Sequence, residues 1–119
     1  MSDVKVIHIK DVKGEKREPP RVSWILVSEK TVGSKNLAVG INETARGGMV
    51  PEHKHDTEEE VMFFMSGRGK FVTEDEEIDL EPGVCIYNPP GSSHKILNTG
   101  DEVLRFMWIY APQLESHRK

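Results

Sequence analysis

The chain has 119 residues, 30% of them charged, and a formal net charge of −4. That length suits one domain able to bury roughly two-thirds of its unfolded surface without help from a disulfide. The acidic balance and the lack of a basic block argue against nucleic acid or an anionic membrane as partner, and no apolar run approaches the roughly 18 to 20 residues of a transmembrane helix. Met1 to Pro20 lacks the apolar centre of a signal peptide, and Cys85 is alone, so a reducing, cytoplasmic location is expected.

In chain order, Val4 to Ile9 is short and β-prone and is expected to form an edge strand. The polar stretch Lys10 to Arg21, with Gly14, Pro19 and Pro20, reads as a loop. Ser23 to Val27 and Leu37 to Ile41 are strands joined through a turn at Val32 to Lys35, and Gly47-Gly48 breaks the next run. Glu60 to Met65 is an apolar strand with a carboxylate at its start, and Gly67 and Gly69 turn it into Lys70 to Thr73. Acidic Glu74 to Glu77 marks a hairpin tip before Ile78 to Leu80. Val84 to Tyr87, the turn Pro89-Pro90-Gly91, His94 to Leu97 and a long run from Val103 to Ala111 complete the series. About ten short strands with turn chemistry every 8 to 12 residues or so predict an all-β sandwich or barrel. No window carries the helical period, although Gln113 to Lys119 could form a stray turn.

Four residues concentrate the chemistry: His53, His55, Glu60 and His94. Imidazole and carboxylate suit divalent first-row metals. Side chains two apart on a strand share a face, so His53 and His55 can grip one ion with Lys54 turned away. Glu60 abuts an apolar strand and shares its face with Met62 and Phe64, where a carboxylate is costly unless a cation pairs with it. Glu58 and Glu59 read as a solvated turn, and His8 and His117 as surface or structural histidines. Cys85 reads as a small buried hydrophobe rather than a ligand.

The spacing carries a resemblance. From Gly47, five residues lead to His53, one to His55, four to Glu60 and six to Gly67. From Gly83, five lead to Pro89, one to Gly91, two to His94 and three to Asn98. These two runs, separated by fifteen residues, resemble the two motifs of the cupin superfamily. The departures are Arg46, where many relatives have proline, and Val84, where aspartate is frequent; neither belongs to the ligand set. The resemblance implies a small jelly-roll (double-stranded β-helix) barrel over residues 1–119. Residues 1–22 would be an N-terminal strand and loop, and residues 47–98 would carry both motifs. It also implies one divalent ion per chain, held by His53, His55, Glu60 and His94. The ion could be manganese, iron, nickel, cobalt, zinc or copper. Gly47, Gly67, Gly83, Gly91, Pro89 and Asn98 are then scaffold.

Three imidazoles and one carboxylate around a divalent ion leave a charge of about +1 and two open positions on an octahedral centre. Such a centre suits a small anionic, bidentate molecule. Candidate pocket walls are Met62 and Phe64, together with Arg105 and Met107 if that face of the last strand points inward, where Arg105 could clamp a carboxylate. Phe106 and Trp108 read as core or subunit interface. The resemblance suggests a metal-dependent enzyme on a small carbonyl or carboxylate compound, of isomerase, decarboxylase, lyase or dioxygenase type. The alternative is a non-catalytic metal- or ligand-binding module. A homodimer is expected through the Val4 to Ile9 strand and the apolar Trp24 to Val27.

Overall fold

In a computed structural model, which describes residues 3–119, apolar alternation sets the architecture. The clearest case is β10 (Leu104–Ala111), whose Leu104, Phe106, Trp108 and Tyr110 are buried while the residues between them are half-exposed. A period of two on a pleated strand gives one buried and one outer face. Around it lie β1 (Glu15–Arg17), β2 (Arg21–Val27), β3 (Ala38–Thr44), β5 (Glu59–Ser66) and β8 (Cys85–Asn88), making a six-stranded sheet in the order β1-β2-β3-β10-β5-β8. A second sheet, β4-β9-β6-β7, is formed by β4 (Met49–His53), β6 (Gly69–Thr73), β7 (Glu77–Leu80) and β9 (His94–Asn98). Every pairing is antiparallel. Met62, Phe64, Phe71, Leu80, Ile96, Leu104 and Phe106 form the core between the sheets. The fold is an all-β jelly roll.

Several expectations are corrected. Val4 to His8 forms no strand; the chain makes a short 3-10 turn at Ile9–Asp11, and Val4 and Val6 stay exposed. A β-prone composition makes a strand only where an edge accepts it, and the edge of β2 is taken by Glu15–Arg17, inside the stretch read as a loop. A four-residue helix, α1 (Glu29–Val32), also escaped the periodicity argument because one turn carries no period. Its signals are nonetheless in the sequence: Ser28 and Thr31 make a reciprocal capping box and Gly33 closes the turn in the left-handed region (φ 76°). Cys85 is exposed on the outer face of β8 rather than buried. Asn98 ties its turn as expected, donating from Nδ2 to the Thr44 and Glu102 carbonyl oxygens and accepting from the Gly100 N–H.

Candidate metal centre

Two sheets face each other with His94 on β9, His53 at the end of β4 and Glu60 near the start of β5. The register explains how His53 comes to point inward. Val50 pairs with Ile96 and His53 with His94, so β4 spends three residues where β9 spends two. The extra residue is a bulge at Pro51–Glu52, and without it Val50 and His53 would lie on opposite faces. Pro51 is tolerated there because a bulge does not require its missing N–H. On the other side, Gly91 adopts φ 82°, a turn conformation a β-carbon would resist, and its N–H donates to the His55 carbonyl oxygen (2.7 Å), which pins the two motifs together.

One ligand atom from each of His53, Glu60 and His94 lies within 4.8 Å of the others. His94 is fully buried and Glu60 is 4% exposed. His94 Nε2 stands 3.4 Å from Glu60 Oε1, and neither atom has a hydrogen-bond partner in the structure. Buried polar atoms without partners are uncommon, and a shared cation would satisfy both of these. The other ring nitrogens are engaged: His53 Nδ1 is 2.8 Å from the Pro51 carbonyl oxygen and His94 Nδ1 is 3.2 Å from that of Ser92. With the proton on Nδ1 donated to those carbonyls, both Nε2 lone pairs are left for the shared centre, the arrangement that orients metal-binding imidazoles. Asn88 Nδ2 lies 3.0 Å from His94 Nδ1, so a proton on that nitrogen requires the Asn88 amide turned with its oxygen accepting, and the Phe71 ring stacks on the imidazole at 5.1 Å. Burial holds the His53 imidazole below its ordinary range, which lessens proton competition for the same lone pair. The donor set therefore fits a divalent cation.

His55 sits apart from the three. The strand ends at His53, so the two-residue parity argument does not reach His55, which is carried on the loop. Its ring lies 4.9 Å from that of His53, and its Nε2 is 3.2 Å from the Tyr110 hydroxyl. That hydroxyl is buried, and desolvation together with the Glu60 carboxylate holds it well above the usual phenol range, so it remains a donor.

The centre opens into a cavity of about 370 Å³. Met62 and Phe64 share the Glu60 face as expected but are wholly buried in the core, not on the cavity wall. Arg105 and Met107 are corrected: the inward face of β10 is Phe106, Trp108 and Tyr110, which do line the cavity. Arg105 lies opposite Glu43 on the outer face and donates to it at 3.0 Å. Phe106 and Trp108 have the larger apolar area to bury, which decides the parity of the strand.

His117, read from sequence as surface or structural, is a wall residue, 7% exposed and stacked on Trp108 at 5.3 Å. Buried Gln113 brings it there by accepting from the Glu29 N–H and donating to the Ser34 carbonyl oxygen. Burial lowers the His117 pKa, as it does for His53. The unfolded chain then binds protons that the fold refuses once pH drops below about 6.5, so metal-free protein is expected to lose stability progressively from that point downward and none above it. Urea midpoints at stepped pH check this. H117F should flatten the slope, and an unchanged slope would reject the assignment.

The His53–Glu60–His94 cluster lies within a small jelly roll, and the comparisons identify the family. A family model described as "Cupin domain" matches residues 41–110. The chain belongs to the cupin family. An oxalate-binding protein of Thermotoga maritima is 26% identical over 108 residues, covering 91% of this chain and 88% of that one. A glucose-6-phosphate isomerase of Thermococcus litoralis is 29% identical over 98 residues, 73% of this cupin but only 52% of the isomerase. Among solved structures, a predicted oxalate decarboxylase from Thermotoga maritima superposes with a TM-score of 0.82 at 22% identity, covering 91% and 99% of the two chains. That likeness concerns the fold.

Proposed function

We propose that this cupin is a metal-dependent enzyme acting on a small anionic carbonyl or carboxylate compound. In this reading His53, Glu60 and His94 hold one divalent ion and His55 completes the set. The observation that carries the reading is the facing pair of buried, unpartnered atoms, Glu60 Oε1 and His94 Nε2. A bound ion supplies Lewis acidity or, with iron or copper, a site for dioxygen. The chain's own residues do the rest. Pro51 and Ser92 carbonyls orient the imidazoles, Phe106 and Trp108 exclude water from one wall, and the Tyr110 hydroxyl offers a proton beside Glu60. Isomerase chemistry has support from the isomerase relative.

Elemental analysis of protein purified without added metal, followed by assay of the loaded protein on keto, hydroxy and unsaturated uronic acids, tests the proposal. Oxygen consumption separates a dioxygenase from an isomerase, lyase or decarboxylase. The relative named as an oxalate-binding protein favours a second reading, a binding module without turnover. Metal-replete protein that binds acids and converts none of them would establish that reading instead. We also propose a homodimer. Its support is the outer face of the six-stranded sheet, where Phe63 and Tyr87 are 39% and 58% exposed and Met107 lies opposite Ile41 and Phe63. Sedimentation as a monomer at micromolar concentration would reject it.

A further inference from the structure

The cavity has a second charged end, remote from the histidines. Pairing of β1 with β2 sets Arg17 directly opposite Arg21, and both line the cavity. Like charges opposed across a strand pair are destabilising, so a fold that keeps them facing a cavity leaves a site for a counter-anion. Arg17, its side chain 58% exposed, is paired with the Glu15 carboxylate at 3.0 Å, and Glu15 lines the cavity beside it, so the unpaired charge at this end is that of Arg21. Arg21 has no ion-pair partner among the described residues; its Nη1 donates to the Pro19 and Met49 carbonyl oxygens at 3.0 and 3.4 Å. Those bonds fix the guanidinium plane while leaving further N–H groups of the fork unassigned. Burial and the Arg17 charge both weaken the hold of Arg21 on its proton, against a smaller opposing effect of Glu18.

The register places the two ends far apart. Arg21 pairs with Thr44, which pairs with Leu104, whereas Glu60 pairs with Tyr110. Six residue steps along β10 separate those levels, about 20 Å of backbone at ~3.3 Å per residue. Ser23 and Asn42, paired with each other, stand between. A volume of about 370 Å³ takes the equivalent of roughly a dozen waters at ~30 Å³ each, which is far more than a two-carbon acid fills.

We infer that Arg17 and Arg21 form an anion-binding end of the cavity and that the ligand is elongated, with one acidic group at the His53–Glu60–His94 end and a second at the arginines. The inference rests on the metal reading for its first end only. Arginine recognises a carboxylate or phosphate through paired N–H bonds, so either group can occupy the second end.

The test uses the full chain loaded with zinc, which is diamagnetic, after its zinc stoichiometry has been measured. Calorimetry compares 2-oxododecanedioate with 2-oxododecanoate, acids of equal chain length, long enough to reach between the two ends, differing only in the distal carboxylate. The diacid is expected to bind about tenfold tighter or more, the range for an added charge-assisted pair. R17Q/R21Q should abolish that advantage while leaving the monoacid unchanged. Because Arg21 also supports the backbone, R17Q alone, which spares those bonds, must also reduce the advantage. In parallel, the arginine Nε–Hε resonances are followed during addition of the diacid and, separately, inorganic phosphate; the stronger saturable shift identifies the preferred group. Equal affinity of the two acids in the parent protein, an advantage that survives R17Q/R21Q, or zinc-loaded protein that binds neither acid would overturn the inference. Failure of zinc to bind, with the Arg21 resonance still shifting saturably, would sink the metal reading and leave the arginine end standing.

Discussion

Replacing Glu60 with leucine is expected to make the metal-free protein more stable while removing its response to divalent metal. Glu60 is 4% exposed, and its Oε1 has no partner. A buried polar atom left unsatisfied costs about 1–3 kcal/mol, and leucine at a core-facing strand position carries no such cost. The gain should lie near the low end, since the Tyr110 hydroxyl loses its interaction with the carboxylate. In the parent protein, an ion present at 100 times its Kd adds about 2.7 kcal/mol. At roughly 3–5 °C per kcal/mol, between the values for smaller and larger domains, Tm should rise by about 10 °C. The two effects have opposite signs, as expected where a site keeps unsatisfied groups for a ligand rather than for the fold. Thermal unfolding of both proteins, with chelator and with zinc, reads both effects. A less stable E60L in chelator would mean that the carboxyl group is already compensated within the fold. A zinc shift that persists in E60L would remove Glu60 from the ligand set.

Gly40→Ala is expected to destabilise the protein by about 3 kcal/mol, the upper end for overpacking a filled core, with Tm falling by 10 °C or more. Gly40 pairs with Trp108 on one side and Ile25 on the other, and a β-carbon there would meet the Trp108 indole ring and the Trp24 carbonyl oxygen. Backbone on one side and a ring on the other leave nothing flexible to yield. Trp108 cannot swing freely, because it is 5% exposed and stacks on His117. The substitution should therefore reach the cavity wall as well as the core, lowering ligand affinity together with stability. Urea unfolding followed by tryptophan fluorescence measures both stability and ring environment. A loss below about 1 kcal/mol would show that the indole has another place to go.

How much of this was legible beforehand varies residue by residue. The alternation in Leu104–Ala111 announced a half-buried strand, but not which half; Arg105 looked as usable as Phe106 until both neighbouring strands were in place. Parity along one strand is a relative statement, and only packing against the opposite sheet fixes its sign. Glu60, Met62 and Phe64 were assigned to one face correctly because apolar neighbours on that face made its direction unambiguous. For His53 and His55 strand parity does not apply, because β4 ends at His53, two residues before His55, and carries a bulge created by pairing with β9. His117 had no local signal at all. Its place depends on Gln113 bonding to Glu29 and Ser34, some eighty residues earlier in the chain.

The amino-acid order by itself determined that this is an all-β chain with three histidines and a glutamate at fixed spacings, since strand period, turn residues and metal-donor chemistry are local properties. Tertiary structure alone decided that His53, Glu60 and His94 meet, that His55 turns to Tyr110, and that the opposite end of the cavity carries Arg17 and Arg21. Register, bulges and the path of a terminal segment are set by contacts between residues far apart in sequence, and no local pattern encodes them.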